Sequence, residues 1–369
     1  MSERLDAVLL LEDGTVFHGK SVGVTGKTFG EIVFNTAMDG YQEVFTDPAN
    51  LGQIIVMSTS HVGNYGTTPE DASSDHVQCA GIVVKKFSEV TSRDRANLSL
   101  EELFVNDHKM GICDIDTRAL VRHLCNHGSM NAVISSEENV SIEGLLSELQ
   151  SFPKMKGMEL ASRVSTQESY ISKSLTDKAL YKIALVDFGS KNGVVHRFNL
   201  NNCEVKVFPM NSKLEEMLNY LPDGFVLSAG PGDPSAMSTS VDLVKNIIET
   251  KKPVFGINLG HQLIALSQGV SIEKMPHGHR GVNHPIINHR TGKGEMTCQN
   301  HSFVVNRVSA EDNSNIEITH SHLNDNTVAG IALKDRPVFS VQYHPEGAVG
   351  PHDSLYLISE FLELMQKNK

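Results

Sequence analysis

The sequence has no long hydrophobic run and no excess of positive charge. No apolar stretch approaches the roughly 20 residues that a membrane-spanning helix needs, which argues against an integral membrane protein. The net charge is −12 at pH 7 and the pI is about 5.8. A chain this acidic is not expected to take nucleic acid or an anionic membrane as its main partner.

Cysteine is scarce and dispersed. No two of the five cysteines form a CxxC pair; they are Cys79, Cys113, Cys125, Cys203 and Cys298. An odd number of scattered thiols fits a reducing compartment and favours structural free cysteines over disulfides. The amino terminus shows no signal-peptide pattern. We therefore expect a cytoplasmic protein.

The length of 369 residues suggests about two domains. Predicted strands at 7–11, 16–17, 29–34 and 53–57 and a helix that Asp116 can cap indicate a smaller α+β domain over residues 1–150. The more polar segment 151–180 is the predicted connection. Residues 181–369 contain five apolar runs separated by helical segments, at 183–188, 203–208, 224–228, 253–257 and 338–343. This alternation predicts an open, mostly parallel α/β sheet.

The stretch from Pro253 to Gly269 predicts a strand, a sharp turn and a helix. Its strand residues are bulky and apolar, and leucines at i, i+4 and i+7 then mark one buried helical face. Gly256 and Gly260 bracket the turn. A side chain between two such glycines is pushed out above the sheet, as in a nucleophile elbow. The residue at the tip is Asn258, whose neutral carboxamide is not a nucleophile.

Two further motifs follow predicted strands. In His344-Pro-Glu346, the histidine is suited to be a general base and Glu346 to orient its ring. In Ala229-Gly-Pro-Gly-Asp-Pro234, backbone N–H groups could form an oxyanion hole together with the N–H of Leu259. Alone, the first motif could be a capping turn and the second a tight turn. Their combination with the elbow, all at strand ends, points to acyl transfer.

These three motifs resemble the class I glutamine amidotransferases, in which a cysteine at the elbow attacks the carboxamide of glutamine. The match is carried by Gly256-Ile-Asn-Leu-Gly-His-Gln262, Gly230-Pro-Gly-Asp-Pro234 and His344-Pro-Glu346. Nearly the whole chain resembles one family among them, the small subunits of carbamoyl-phosphate synthetase. That wider likeness rests on Leu11-Glu-Asp-Gly-Thr15, Phe34-Asn-Thr36, Gly40-Tyr-Gln-Glu43, Thr46-Asp-Pro48, Asp114-Ile-Asp-Thr-Arg118, Asp187-Phe-Gly189, Gly278-His279, Gly281, Asn283-His-Pro285, Gln299-Asn-His301 and Gly350-Pro-His-Asp353.

The resemblance implies a role for each matching position. Gly230 and Leu259 would supply the oxyanion-hole amides, and His344 and Glu346 would be the base and its orienting partner. The residues that hold glutamine would be Gly232, Gln262, Asn300 and Phe303. Ammonia would pass to a large subunit that makes carbamoyl phosphate, for arginine and pyrimidine synthesis, from bicarbonate and ATP. ATP and Mg²⁺ are expected only in that subunit, and no cofactor in this chain.

Three positions depart from the pattern of the family. Asn258 stands where the family has its nucleophilic cysteine, Ala49 where it usually has serine, and Ser302 where it has glycine. The second removes a hydroxyl contact to the substrate, while the third is harmless if that contact is made by the backbone. Two interpretations stay open. The chain is a glutamine-hydrolysing subunit in which Asn258 is an introduced change, or a glutaminase-dead subunit that stabilises an ammonia-dependent synthetase. A rescue by Ser302 as nucleophile is a minor alternative.

Histidine clusters in one stretch, at His277, His279, His284 and His289. A metal site is conceivable there, but the spacing matches no standard set of zinc ligands. The resemblance explains the Gly-His and Asn-His-Pro pieces as structural. The sequence therefore predicts no metal site.

Overall fold

The computed structural model describes residues 4–139, 141–176, 178–347 and 350–369. The first three residues, on which the expectation of no signal peptide partly rests, lie outside these ranges. The chain divides into two compact units, Met1–Met155 and Lys156–Lys369. Most of the segment 151–180, predicted as a connection, thus belongs to the second unit. Within the described ranges, no helix is both long enough and apolar enough to cross a membrane.

The first unit is built around a closed, mixed sheet. Its strands are β1 (Asp6–Leu11), β2 (Val16–Gly23), β3 (Lys27–Asn35), β4 (Gln53–Met57), β5 (His61–Val62), β6 (Gly81–Val83), β7 (Lys86–Phe87), β8 (Met110–Cys113) and β9 (Met130–Ser135). Its helices are α1 (Tyr41–Phe45), α2 (Leu100–Asn106), α3 (Thr117–His127) and α4 (Ile142–Ser151). Seven strands close into a barrel in the order β1-β2-β8-β6-β4-β3-β9, and β5 pairs with β7.

Local sequence signals explain the elements predicted in this unit. The hairpin of β1 and β2 turns at Gly14, which has φ 87°, a left-handed conformation that glycine adopts without strain. Helix α3 begins after Asp116, whose carboxylate accepts a hydrogen bond from the N–H of Ala119 at 3.0 Å. The predicted hairpin and the predicted cap are both confirmed.

The second unit contains an open ten-stranded sheet. Its strands are β10 (Tyr170–Ser172), β11 (Tyr181–Asp187), β12 (Cys203–Pro209), β13 (Gly224–Leu227), β14 (Val254–Ile257), β15 (Ile272–Asn288), β16 (Lys293–Val305), β17 (Ile316–His322), β18 (Val328–Leu333) and β19 (Val338–Val341). Its helices are α5 (Asn192–Leu200), α6 (Leu214–Asn219), α7 (Ser238–Glu249), α8 (Leu259–Ser267), α9 (Arg307–Asp312) and α10 (Tyr356–Lys367). The strand order is β10-β12-β11-β13-β14-β19-β18-β17-β15-β16.

The α/β fold class predicted from the sequence is confirmed. Strands β12, β11, β13, β14 and β19 run parallel, and they are the five predicted apolar runs. The sequence did not predict the antiparallel extension formed by β18, β17, β15 and β16. Register shifts interrupt the pairing of β15 with β16, so the two-residue alternation that marks a strand is broken there.

The parallel strands bury both of their faces. Phe225 and Leu227 of β13 pack with the residues of α7 and α8, whereas Val226 between them packs on the opposite face with Phe361 of α10. Because the strands are parallel, their carboxyl ends meet at one edge. That edge therefore carries Asp187, the last residue of β11, and Ser228, Asn258 and Gln342, which directly follow β13, β14 and β19.

Candidate active site

The turn between β14 and α8 is a strained elbow with Asn258 at its tip. Asn258 has φ 52° and ψ −104°, a conformation that costs an L-residue of the order of 1–3 kcal/mol. Its N–H donates to the carbonyl of Val341 at 2.8 Å, which ties the elbow to β19. A Cβ at Gly260 would lie 2.3 Å from the carbonyl oxygen of Leu227, so only glycine fits there. The predicted elbow is confirmed.

The carboxamide of Asn258 is buried in a network of hydrogen bonds, with 3% of the residue exposed. Its Nδ2 donates to the backbone carbonyl of Asn300 at 2.8 Å and lies 3.1 Å from Nε2 of His344. Its Oδ1 accepts from Nε2 of Gln342 at 3.3 Å. The carbonyl oxygen of Asn300 can only accept a hydrogen bond, so it must face the NH₂ group of the Asn258 amide. The same NH₂ group therefore also faces His344.

That orientation fixes the tautomer of His344. An amide N–H needs an acceptor, so Nε2 of His344 carries a lone pair and the ring proton resides on Nδ1. Nδ1 lies 3.1 Å from Oε1 of Glu346, and both side chains are 1% exposed. His344 thus has the tautomer that a general base requires, with its basic nitrogen directed at the elbow.

The carboxylate of Glu346 also contacts a buried lysine. Nζ of Lys191, the residue before α5, lies 3.2 Å from Oε1 of Glu346. The backbone carbonyl of Glu346 accepts from Nε of Arg197 at 2.8 Å. Burial raises the pKa of the Glu346 carboxyl, but the positive charge of Lys191 and the contact with the ring of His344 outweigh this effect and hold the pKa well below its usual range. Glu346 is therefore an anion at neutral pH.

The two residues of the predicted oxyanion hole, Gly230 and Leu259, lie beside each other. Leu259 is the first residue of α8, and the N–H groups of a first helical turn have no acceptor within the helix. A Cβ at Gly230 would lie 2.8 Å from the side chain of Leu259 and 2.2 Å from the carbonyl oxygen of Phe188. Gly230 and Leu259 are thus neighbours, and the backbone at Gly230 is too crowded for a side chain. Gly232 of the same turn has φ 95° and pairs with Glu159.

Apart from Gly232, the predicted glutamine-binding residues of this unit lie on α8 and β16. Nε2 of Gln262 donates to the carbonyl of Phe303 at 2.8 Å and to Oε1 of Gln342 at 3.2 Å. The hydroxyl of Ser302 accepts a hydrogen bond from the buried guanidinium of Arg280. The structure thus connects Gln262, through Gln342, with the carboxamide at the elbow.

Ala49 belongs to the first unit. It lies in the short 3₁₀ turn Pro48–Asn50 and is 9% exposed. Its N–H donates to the carboxylate of Asp47 at 3.0 Å, which caps the turn. Its methyl group offers no hydroxyl to a substrate.

Comparisons with known proteins agree with this geometry. Residues 9–134 match the family described as carbamoyl-phosphate synthase small chain, CPSase domain, and residues 184–364 match glutamine amidotransferase class-I. The carbamoyl phosphate synthase small chain of Corynebacterium diphtheriae is 42% identical over 100% of this chain and 99% of its own length. That of Streptomyces avermitilis is 42% identical over 98% of this chain and 97% of its own.

The chain belongs to the carbamoyl phosphate synthase small chain family. Full-length similarity to other carbamoyl phosphate synthase small chains includes the first unit as well as the amidotransferase domain. The resemblance inferred from the sequence is confirmed at the level of the family.

The structure also shows residues of this small chain that the sequence analysis missed. Lys191 follows the motif Asp187-Phe-Gly189, but nothing near it in the sequence indicates that it reaches Glu346. Gln342 lies two residues before His344, and its contact with Asn258 depends on how β14 and β19 pair. Arg280 is on an unpredicted strand. Each of these contacts joins segments that are distant in the sequence.

We predict that the ion pair of Lys191 and Glu346 stabilises the second unit. Lys191→Met would leave the carboxylate of Glu346 buried without its ammonium, at a cost of about 3–5 kcal/mol in the free energy of unfolding at pH 7. The matched control is Lys213→Met, because Lys213 also precedes a helix but is exposed. Its effect should stay within about 0.5 kcal/mol. Denaturant unfolding measures both.

The same pair predicts a pH dependence. The pKa of Glu346 is lowered in the folded state, so its stabilisation is complete above the unfolded value of 4.5 and is lost as the pH falls towards the folded value. Unfolding free energies at pH 7 and pH 4 should therefore differ less in Glu346→Gln than in the wild type. An unchanged pH dependence would show that Glu346 is not a buried anion.

Proposed function

We propose that this chain is the small subunit of a carbamoyl-phosphate synthetase whose glutaminase step is disabled by Asn258. The observation that carries the proposal is the Asn258 carboxamide at the elbow, with Nδ2 3.1 Å from the basic nitrogen of His344. The subunit would bind a large subunit in the cytoplasm, and that subunit would use free ammonia for carbamoyl phosphate synthesis. ATP and Mg²⁺ would bind to the large subunit.

The geometry of the elbow, of His344 and of Glu346 supports glutamine hydrolysis apart from the missing nucleophile. A thiol at position 258 would transfer its proton to Nε2 of His344, and Glu346 would stabilise the resulting imidazolium. The thiolate would attack the carboxamide carbon of glutamine, and the N–H groups of Gly230 and Leu259 would hold the developing oxyanion. Collapse of this intermediate, with the proton passing from Nε2 of His344 to the leaving nitrogen, would release ammonia and leave a thioester, which water would hydrolyse to glutamate and the free thiol.

Asn258 cannot perform the first step. The lone pair of its amide nitrogen is delocalised and the nitrogen does not ionise near neutral pH, so His344 has no proton to take. Loss of the nucleophile alone costs about as much as loss of a whole catalytic triad, on the order of 10⁶-fold in another hydrolase. A water molecule would lack both the covalent step and the fixed placement that make attack fast.

The alternative is a glutamine-hydrolysing subunit that uses another nucleophile. Ser302 does not favour it, because its hydroxyl contacts the guanidinium of Arg280, which cannot accept a proton. Cys298 is the other candidate for this nucleophile, because its backbone carbonyl accepts a hydrogen bond from the N–H of His344 at 2.9 Å. The Cys298→Ser variant separates this alternative from the proposal.

We predict that Asn258→Cys gains glutaminase activity by several orders of magnitude, because the base, its carboxylate and the oxyanion donors are already in place. The wild type should release negligible glutamate and should support ammonia-dependent synthesis with the large subunit. The measurement is steady-state glutamate release by both forms, purified in complex with the large subunit.

Two further variants control this experiment. Asn258→Ala should remain inactive, and His344→Asn should abolish the activity gained by the cysteine variant. Wild-type glutamine turnover at ~1 s⁻¹ or more would contradict the proposal. If that turnover were lost in Cys298→Ser, Cys298 would be the nucleophile. A cysteine variant that stays inactive would show that another departure from the family pattern, Ala49 or Ser302, also prevents hydrolysis.

We predict that the wild type binds glutamine weakly but specifically. Gln262 and Asn300 remain to recognise the amino-acid end of glutamine. The Asn258 carboxamide, however, takes up space beside the position where the substrate amide must lie. Asn258→Ala should therefore bind glutamine more tightly than the wild type. Calorimetry with glutamine, and with valine as the unrelated control, measures this. Equal binding of glutamine and valine by both forms would contradict the prediction.

A further inference from the structure

Three histidines converge on the antiparallel extension of the sheet. His279 and His284 lie on β15, and His322 is the last residue of β17, which pairs with β15. One ligand atom from each ring lies within 4.8 Å of the other two. Nδ1 of His284 and Nε2 of His322 are 3.1 Å apart, and the rings of His279 and His322 have their centroids 4.2 Å apart.

A carboxylate adjoins the three rings. Oδ2 of Asp325 lies 2.8 Å from Nε2 of His279, and its Oδ1 lies 3.4 Å from Nδ1 of His322. The side chain of Asp325 is 39% exposed, whereas those of His279 and His322 are 9% and 2% exposed. The cluster is therefore buried on the side of the imidazoles and opens to solvent at the carboxylate, where an ion could enter.

We propose that His279, His284, His322 and Asp325 bind a divalent transition metal ion, of which Zn²⁺ fits best. Zinc takes imidazole nitrogens and carboxylate oxygens, usually with four ligands in a tetrahedron. Nitrogens bound at about 2.0–2.1 Å in a tetrahedron lie roughly 3.4 Å apart. The His284–His322 pair, at 3.1 Å, is about 0.3 Å short of this spacing, and rotation of the rings would close the longer distance within the 4.8 Å cluster.

Nδ1 is the nitrogen of His284 that faces His322, across 3.1 Å to its Nε2. An ion bound between these two nitrogens would replace the direct contact between the rings.

An outer residue holds one of the proposed ligands in place. Nδ1 of His279 lies 3.1 Å from Oε1 of Gln299 on β16, while Nε2 faces Asp325. Metal-binding histidines usually have such a polar partner on the nitrogen that does not bind the ion, and it fixes the orientation of the ring.

This site could not be found from sequence spacing. His322 lies 38 positions after His284, and it reaches the other two rings only through the pairing of β15 with β17. The sequence prediction of no metal site considered only the histidines of one stretch, and His277 and His289 of that stretch are not part of the cluster.

The test is titration of the full-length chain, without an affinity tag and after chelator treatment, with Zn²⁺ by calorimetry and with Co²⁺ by absorption spectroscopy. We expect one site and the d–d bands of a tetrahedral Co²⁺ complex. His322→Asn should weaken binding by at least the 10–100-fold that loss of an outer-shell partner typically costs. X-ray absorption of the zinc-loaded wild type should show three imidazole ligands, and this readout does not depend on a variant that folds.

A second pair of histidines provides the control. His123 and His127 of α3 stack with ring centroids 4.3 Å apart, and Nε2 of His123 lies 2.6 Å from the carboxylate of Asp13. His127→Gln should leave the titrations unchanged. The proposal is overturned if excess Co²⁺ causes no spectral change in the wild type, or if binding survives in His322→Asn and is lost in His127→Gln.

Discussion

The site depends on one buried charge, the carboxylate of Glu346. A carboxylate that is 1% exposed is tolerated only when partners offset the loss of its hydration, and here Lys191 and His344 do so at 3.2 and 3.1 Å. These contacts join the start of α5 to the end of β19. They also hold the imidazole of His344 with its basic nitrogen towards the elbow. The geometry of a proton acceptor is thus secured by the same interaction that makes the buried charge possible.

The elbow places a second constraint on the same edge of the sheet. Asn258 keeps a strained backbone conformation because α8 packs so closely on β13 that position 260 has no room for a Cβ. The close approach at Gly230 leaves its backbone beside Leu259 in a similar way. Backbone strain of this kind persists only where the surroundings over-determine it. The scaffold therefore presents whatever residue stands at position 258 to His344, whether or not that residue can react.

Much of this arrangement could be predicted from the sequence, and the limits have physical causes. The elbow, the His344-Pro-Glu346 turn and the five parallel strands depend on local patterns, such as apolar runs followed by glycine or polar residues. The partner of Glu346 could not be predicted, because Lys191 and Glu346 are distant in the sequence and only the fold brings the start of α5 to the turn after β19. The extension of β15 to β18 was missed because bulges and polar residues disrupt its alternation. Sequence spacing likewise does not indicate that His322 lies beside His279 and His284.

The side chain of Asn258 is fully hydrogen-bonded by its surroundings. Both N–H bonds of its amide have acceptors, the Asn300 carbonyl and His344, and its oxygen accepts from Gln342. A buried polar group left without partners would cost about 1–3 kcal/mol, so this set of contacts removes a penalty that a mismatched side chain would carry. The network continues through Gln342 to Gln262 and ends on the backbone carbonyl of Phe303. The backbone carbonyls of Asn300 and Phe303 lie at the two ends of this network. They thus fix the orientation of the side-chain amides of Asn258, Gln342 and Gln262. Asparagine at the elbow therefore satisfies its own polar groups and keeps Nε2 of His344 as the acceptor that faces position 258.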